Sequence, residues 1–341
     1  MNYDLSVIIP VFNRGDLIRH TLASVEAASA KVQVETIIVD DGSTPPVADS
    51  LARLRFTPTQ LIRQENRGLL YARLAGLAVA TGRHVLFLDS DDLVGTEKFR
   101  AQIAALDSAG ADVTYTDTAR CLLNESGPTE LQADAPSSLV TESPEFHIGV
   151  QPPPHSPIYR RAYLNDFVAR AFFPPSPLYN SVAEIWFYHN AAARAAKVAK
   201  VPGAHTIVGM HGGARLTNHW EKLGIASLAV MEAFARSCPT GTVPAMRARQ
   251  LVAEKAFGAW RRLPLGFSPE FSSRLLGLWQ RLHQKNDPLQ LGGTGFRFLA
   301  RLFGPVTAAR VLRRFQNSRY ERVRTLDDAT FVQLLAALPP P

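Results

Sequence analysis

Twice within its first hundred residues the chain runs from a short, largely apolar stretch straight into a knot of carboxylates. Residues 34–39 (VETIIV) lead into Asp40, Asp41, Gly42 and Ser43, and residues 85–88 (VLFL) lead into Asp89, Ser90, Asp91 and Asp92. Short apolar runs bounded by turn-forming residues read as strands buried on both faces. A third such run, residues 5–10 (LSVIIP), opens the chain, and Leu61 and Ile62 suggest a fourth, shorter strand. Between them, residues 14–30 and 69–80 carry apolar positions at helical spacing, and 98–109 and 112–117 continue as a helix and a strand. Strand and helix in alternation predict an α/β fold, a mostly parallel central sheet flanked by helices. Ligands of such sheets bind beyond the carboxyl ends of the strands, and both acidic clusters fall there.

Residues 124–157 are rich in Pro, Ser, Glu and Gly, which predicts a long loop holding one strand at most and a place for acceptor recognition. A helix over 181–196 and short strands at 197–201 and 205–210 follow. Beyond about residue 220 helical patterns dominate, at 220–237, 243–262, 270–283, 295–303, 305–315 and 325–338. The expected division is therefore an α/β domain over 1–219, with halves at about 1–118 and 119–219, and a basic, mainly helical region over 220–341.

Charge sharpens that division. Of 341 residues, 46% are hydrophobic and 20% charged, a composition that folds rather than one that stays disordered. The formal charge is +7, yet residues 241–341 hold sixteen basic against six acidic side chains and the first 240 hold 21 against 24. The surplus belongs to the C-terminal region. Arginines beside Phe296, Phe298, Leu299, Leu302 and Phe303 suit a helix lying on an anionic membrane surface as well as a solvated helical domain. No nucleic-acid recognition module accompanies the charge, so nucleic acid is not an expected partner. Two cysteines, Cys121 and Cys238, make no disulfide framework. With no secretory-type start and no long apolar span, the expectation is a cytoplasmic protein, peripheral at most to the inner face of the membrane.

Asp89 and Asp91, one residue apart where the chain turns out of a strand, can face one hard divalent cation and leave positions open for phosphate oxygens. The same residues also suit a solvated turn. Asp40 and Asp41 can accept hydrogen bonds from a base or ribose. Arg73, on the helix after Asn66, Arg67 and Gly68, can pair with a diphosphate or an acidic loop, or lie on the helix surface.

SVIIPVFN at 6–13, VDDGS at 39–43, QENRGLLYARLAGLAVATG at 64–82 and FLDSDD at 87–92 resemble, in wording, order and spacing, the family 2 glycosyltransferases. The resemblance is strong over about the first 100 residues and fades towards residue 217. It implies the GT-A nucleotide-diphospho-sugar transferase fold, here with a C-terminal helical extension, and an inverting displacement that moves a sugar from a nucleotide-diphosphate sugar to a hydroxyl of a glycan or lipid-linked glycan. Pro10 and Phe12 would lie beside the nucleotide, Asp40 or Asp41 would read the base, usually uracil, and Ser90 and Arg73 would lie in the same nucleotide site. Asp89 would meet the ribose or metal, and Asp91 would be the principal ligand of Mn²⁺ or Mg²⁺.

Departures from the family pattern cluster on the acceptor side. The family's base is commonly the Asp of a Glu-Asp pair; here the pair reads Ala183-Glu184, which makes Glu184 the candidate base with one extra methylene. The family's arginine-x-histidine element reads Gly209-Met210-His211, leaving His211 as a candidate for the metal or diphosphate. Asp92, His155 and Trp186 are candidates for the acceptor side, and the aromatic, proline-bearing stretch 171–181 stands where a glycine-rich acidic loop is usual. A catalytically inactive nucleotide-sugar-binding descendant, or a guanosine or thymidine diphosphate donor, remains compatible with these residues.

Overall fold

The computed structural model describes residues 2–14, 17–124, 126–212, 218–283 and 291–340. The chain divides into two compact units, Met1–Gly213 and Ala214–Pro341.

The first unit runs β1 (Leu5–Val11), α1 (Ile18–Ala28), β2 (Val34–Asp40), α2 (Val47–Leu54), β3 (Gln60–Arg63), α3 (Leu69–Val79), β4 (His84–Phe87), β5 (Leu93–Val94), α4 (Lys98–Ala109), β6 (Val113–Tyr115), β7 (Thr118–Asn124), β8 (Gly127–Ala133), β9 (Ile158–Arg160), α5 (Arg161–Ala169), α6 (Ala183–Ala192), β10 (Val198–Lys200) and β11 (Thr206–Met210). Seven strands form the main sheet in the order β10-β6-β9-β4-β1-β2-β3. All its pairings are parallel except those of β9, which runs antiparallel between β4 and β6. This is the mixed, mostly parallel sheet of the GT-A architecture.

β1 is buried along its whole length, which is why it reads as an uninterrupted apolar run. Leu5, Val7, Ile9 and Val11 of β1 pack with Ile18, Leu22 and Val25 of α1 and Phe99, Ile103 and Leu106 of α4 in one core. On the other face α3 lies close to β1: a Cβ added at Gly76 would stand 2.3 Å from Ile8 Cγ2. Glycine there lets the helix reach the sheet and so fixes where Arg73, one turn earlier, is held.

A second, four-stranded sheet has the order β5-β11-β7-β8. Residues 124–157 are more structured than their composition suggests, since they supply β8 of a hairpin and a π-helical turn at Glu145–Val150. β8 escapes periodicity because all but its first residue are exposed.

The second unit is helical: α7 (Trp220–Ser237), α8 (Val243–Arg262), α9 (Pro269–Leu282), α10 (Thr294–Phe303), α11 (Pro305–Gln316) and α12 (Asp328–Ala336). Thr242 and Ser268 cap α8 and α9 through their hydroxyls, each with proline in the first turn, which satisfies a terminal N–H and presets the backbone. Phe257 of α8 packs at 4.7 Å from the ring of Trp279 on α9. A buried pair, Glu232 and Arg274, joins α7 to α9, and Arg274 also donates to the Pro339 carbonyl at 2.6 Å.

Candidate active site

The carboxyl ends of β1, β2 and β4 bring the two acidic clusters to one edge of the main sheet, with β11 and α6 supplying further side chains. Asp40, buried at the end of β2, accepts from the backbone N–H groups of Ser43 (2.8 Å) and Val47 (3.1 Å) and from Arg63 (2.7 Å). Asp41 accepts from Gln64 Nε2 (2.6 Å) and from the N–H groups of Arg67 (3.0 Å) and Gly68 (2.8 Å). The two carboxylates therefore shape the loops around them. Pro10 is buried in β1, whereas Phe12 keeps 46% of its surface exposed beside this loop. The loop is tied to Phe12's neighbour, since Asn13 N–H donates to Ser43 Oγ at 3.1 Å and Asn13 Oδ1 accepts from Thr44 N–H at 2.8 Å.

Arg73 is buried in the stripe of α3 that also holds Leu70 and Leu77. Its Nη2 donates to Asp89 Oδ1 at 2.7 Å, and its Nη1 lies 3.7 Å from Glu184 Oε2. Nε and Nη1 are buried and make no hydrogen bond. Burial works against the guanidinium charge, and Asp89 and Glu184 outweigh it, so its pKa stands above the usual value. Buried donors are nearly always met, and an unmet pair on a charged group at a sheet edge is the kind of exception that marks a binding function.

Glu184, in the first turn of α6, keeps 29% of its side chain exposed. Burial pushes its carboxyl above the usual range, with Arg73 pulling the other way. The helix is held from both sides. Tyr188 donates to the Pro152 carbonyl at 2.8 Å, and the Trp186 indole N–H donates to the Phe173 carbonyl at 3.2 Å. Trp186, Phe173 and Tyr179 are buried, so the stretch 171–181 supports α6 instead of presenting an aromatic platform. Asn180 reaches back to the α3 entry, donating to the Arg67 carbonyl at 2.9 Å.

Asp91 faces His211, with Nε2 2.9 Å from Oδ2. Burial, then the charges of Asp92 and Asp89, raise the Asp91 pKa, and His211 opposes them. A site that strains to hold its own negative charge suits a cation. Two ligands at about 2.1 Å and a right angle from one ion stand about 3 Å apart, close to the spacing of these two atoms. Asp91 and His211 thus fit as a pair of ligands that leaves most of an octahedral shell to phosphate and water. Among the described residues no group of three or more His, Cys, Asp or Glu is placed to hold a metal.

Gly209 shows how the departure from arginine is built in. A Cβ at this position would stand 2.1 Å from the Asp91 carbonyl oxygen, so any side chain would displace the acidic turn. Its N–H donates to Asp92 Oδ1 at 3.0 Å. Asp92 Oδ2 lies 3.1 Å from Nδ1 of His155, whose Nε2 lies 3.2 Å from the Ile207 carbonyl. Asp92 and His155 are buried and, like Trp186, offer no face to solvent; Asp92 and His155 clamp the acidic turn to β11. Ser90 is buried within that turn. Beneath it, Lys98 is wholly enclosed and donates to Thr206 Oγ1 (3.0 Å) and the Ser156 carbonyl (3.1 Å), a support that only its helix's buried face could have signalled.

Residues 6–164 match the family-wide profile described as "Glycosyl transferase family 2". This stretch is a family 2 glycosyltransferase domain. The succinoglycan biosynthesis protein ExoO of Rhizobium meliloti (strain 1021) is 34% identical over 111 residues, 32% of either chain. An Escherichia coli protein, WfaP, named UDP-Glc:alpha-D-GlcNAc-diphosphoundecaprenol beta-1,3-glucosyltransferase, is 32% identical over 114 residues, 33% of this chain and 45% of its own. The alignment with ExoO thus spans about a third of that protein's length. In fold, the family 2 domain and the rest of the chain resemble the crystal structure of S. aureus TarS 1-349 in complex with UDP-GlcNAc, with a TM-score of 0.66 at 20% identity over 96% of this chain and 93% of that one. The corresponding UDP complex gives 0.64 at 20% identity over 96% and 95%.

Proposed function

We propose that the chain is an inverting, metal-dependent glycosyltransferase that moves the sugar of a UDP-sugar onto a hydroxyl of a glycan or lipid-linked glycan. The observation that carries this reading is Arg73, enclosed between Asp89 on the donor side and Glu184 on the other, with two of its buried donors unmet. UDP is favoured by the TarS complexes and by the UDP-Glc donor in WfaP's name, whose diphosphoundecaprenol acceptor favours a lipid-linked glycan here.

In this reading the acceptor oxygen attacks the anomeric carbon as the bond to the diphosphate breaks, and the acceptor proton passes to a carboxylate oxygen of Glu184. Its raised pKa makes it a better base than an exposed glutamate. Arg73 holds Glu184 and Asp89 at a fixed separation and presents positive charge to the departing diphosphate. Phe12 offers an exposed ring for the base, Pro10 and Ser90 act as buried supports in β1 and in the acidic turn, and Asp40 and Asp41 act through the loops they shape. Asp91 and His211 would hold Mn²⁺ or Mg²⁺, which supplies charge neutralisation to the diphosphate when bound. Asp92, His155 and Trp186 act from behind the surface, by fixing the acidic turn and α6.

Incubation of the full chain with UDP-sugars, Mn²⁺ and prenyl-diphosphate-linked glycans tests the reading. Transfer with inverted anomeric configuration is expected. Tight UDP-sugar binding with no transfer to any acceptor, and no hydrolysis, would replace it with a binding or scaffold role.

A further inference from the structure

The helical unit carries a surface that the transferase reading leaves unused. Residues 291–319 contain six arginines and no acidic residue. Within them the same pattern occurs twice, arginine–apolar–x–x–arginine–apolar: Arg297-Phe298 with Arg301-Leu302 on α10, and Arg310-Val311 with Arg314-Phe315 on α11. Spacing of four places each arginine pair and each apolar pair along one helical face, side by side.

Both helices are seated by their opposite faces on α8. Phe296 of α10 lies under the Arg261 guanidinium at 3.9 Å and 6.2 Å from the Phe257 ring. On α11, Ala308 and Ala309 are buried, and Arg313 turns inward over Trp260 and donates to the Leu263 carbonyl. The two repeated faces consequently look away from α8. Phe298 is 63% exposed, Leu302 59% and Phe315 83%, and Phe303, at the turn between the helices, is exposed as well. Aromatic and aliphatic side chains at this exposure, interleaved with arginines in a stretch that has no acidic residue, do not suit a solvated face. A second copy of this face would repel the first. A bilayer with anionic headgroups meets both demands, taking the apolar side chains between its headgroups and pairing the arginines with phosphates.

We propose that the α10–α11 hairpin docks the protein on an anionic membrane surface, with Phe298, Leu302 and Phe315 inserted and Arg297, Arg301, Arg310 and Arg314 on the headgroups. Among the described residues no helix is long and apolar enough to cross a membrane, so the contact lies in the interface.

Flotation of the full chain with phosphatidylcholine vesicles, with or without phosphatidylglycerol, tests this. Binding is expected only to the anionic vesicles and should weaken as salt is raised. Each arginine-to-glutamate change at 301, 310 or 314 should lower the partition coefficient about fivefold or more. The triple change Phe298→Ser, Leu302→Ser, Phe315→Ser should abolish retention while far-ultraviolet circular dichroism and UDP-sugar binding stay as in the parent. Equal retention of the serine variant would overturn insertion. So would failure of the parent to bind anionic vesicles, with light scattering showing a dimer that the serine variant loses, or with duplex DNA bound in their place.

Discussion

Glu35 at one edge of the main sheet and the half-buried pair Asp91 and Glu184 at the other are carboxylates held in opposite ways. At the N-terminal edge, Glu35 accepts from Ser6 Oγ (2.5 Å), Thr81 N–H (2.6 Å), Thr81 Oγ1 (2.9 Å) and Gly82 N–H (2.8 Å). Burial opposes its charge, but those hydrogen bonds outweigh burial and hold its pKa below the usual value. At the C-terminal edge, burial wins at Asp91 and at Glu184, and Arg73 between Asp89 and Glu184 keeps two donors unmet. One edge is finished by the protein itself. The other is left incomplete in the manner of a surface that is completed by ligand.

The largest expected effect lies at the incomplete edge. Glu184→Gln should lower kcat/KM for transfer by about 10²- to 10⁴-fold, the contribution typical of a general base. Glu184→Asp, which restores the family's usual residue but on a helix set for the longer side chain, should retain part of the activity. Steady-state kinetics with UDP-sugar binding as a control read both, and full activity in Glu184→Gln would remove the residue from the reaction.

The finished edge should answer in stability. Glu35→Ala takes the carboxylate away from two buried donors, Ser6 Oγ and Gly82 N–H, at about 1–3 kcal/mol each, so the urea midpoint should fall by an amount worth a few kcal/mol. Activity of the folded fraction should stay within about twofold, since a change far from the chemistry alters neither base nor donor site. An unchanged midpoint would mean that Glu35 is not the keystone its hydrogen bonds make it.

Opposite pKa shifts predict opposite pH limbs. Glu35, depressed in the fold, contributes stability above its unfolded pKa, the ordinary carboxylate value, and that stability is lost as pH falls through the folded pKa. Asp91 and Glu184, raised in the fold, favour the folded state at acid pH, and this contribution is lost as pH rises from the ordinary carboxylate value through their folded pKa. Glu35→Gln should flatten the acid limb of the stability curve. The kcat/KM profile should fall on its acid side through the raised pKa of Glu184, above the ordinary value of 4.5. A kinetic limb at or below that value would assign the base elsewhere.

The smallest effect separates binding from folding. Asp91→Asn relieves the repulsion from Asp89 and Asp92, and should leave the melting temperature at neutral pH unchanged or slightly higher, within about 1 kcal/mol of stability. A loss of several degrees would show that the Asp91–His211 contact supports the fold.

Much of this arrangement was legible in the sequence because it rests on local pattern. The apolar runs ending at Asp40 and Asp89 are strands that end there, and the helices over 98–109 and 220–237 have the predicted bounds. The buried position of Arg73 was also readable, since it sits three residues after Leu70 and four before Leu77 on the stripe that faces the sheet. Its charge suits the helix surface equally well, and the carboxylates of Asp89 and Glu184 are what hold it inside. α2 was missed, as only eight residues follow Pro45 and Pro46, and β5, with two residues, has no period to detect. The pairing of Asp92 with His155, 63 positions apart, and the approach of Gly209 to Asp91 depend on how β11 crosses the acidic turn, which no local pattern encodes. The same holds for Asp40 and Asp41: their positions were foreseeable, their backbone partners were not.

The central claim is that this incomplete edge takes a nucleotide diphosphate with a cation at Asp91. Calorimetric titration of the full chain with UDP, with and without Mn²⁺, in the parent and in Asp91→Asn tests it most directly. Binding that tightens at least tenfold with Mn²⁺ in the parent, and loses that gain in Asp91→Asn while the protein stays folded, is the predicted result. UDP affinity that is the same with and without the ion, or the same gain in both proteins, would contradict it.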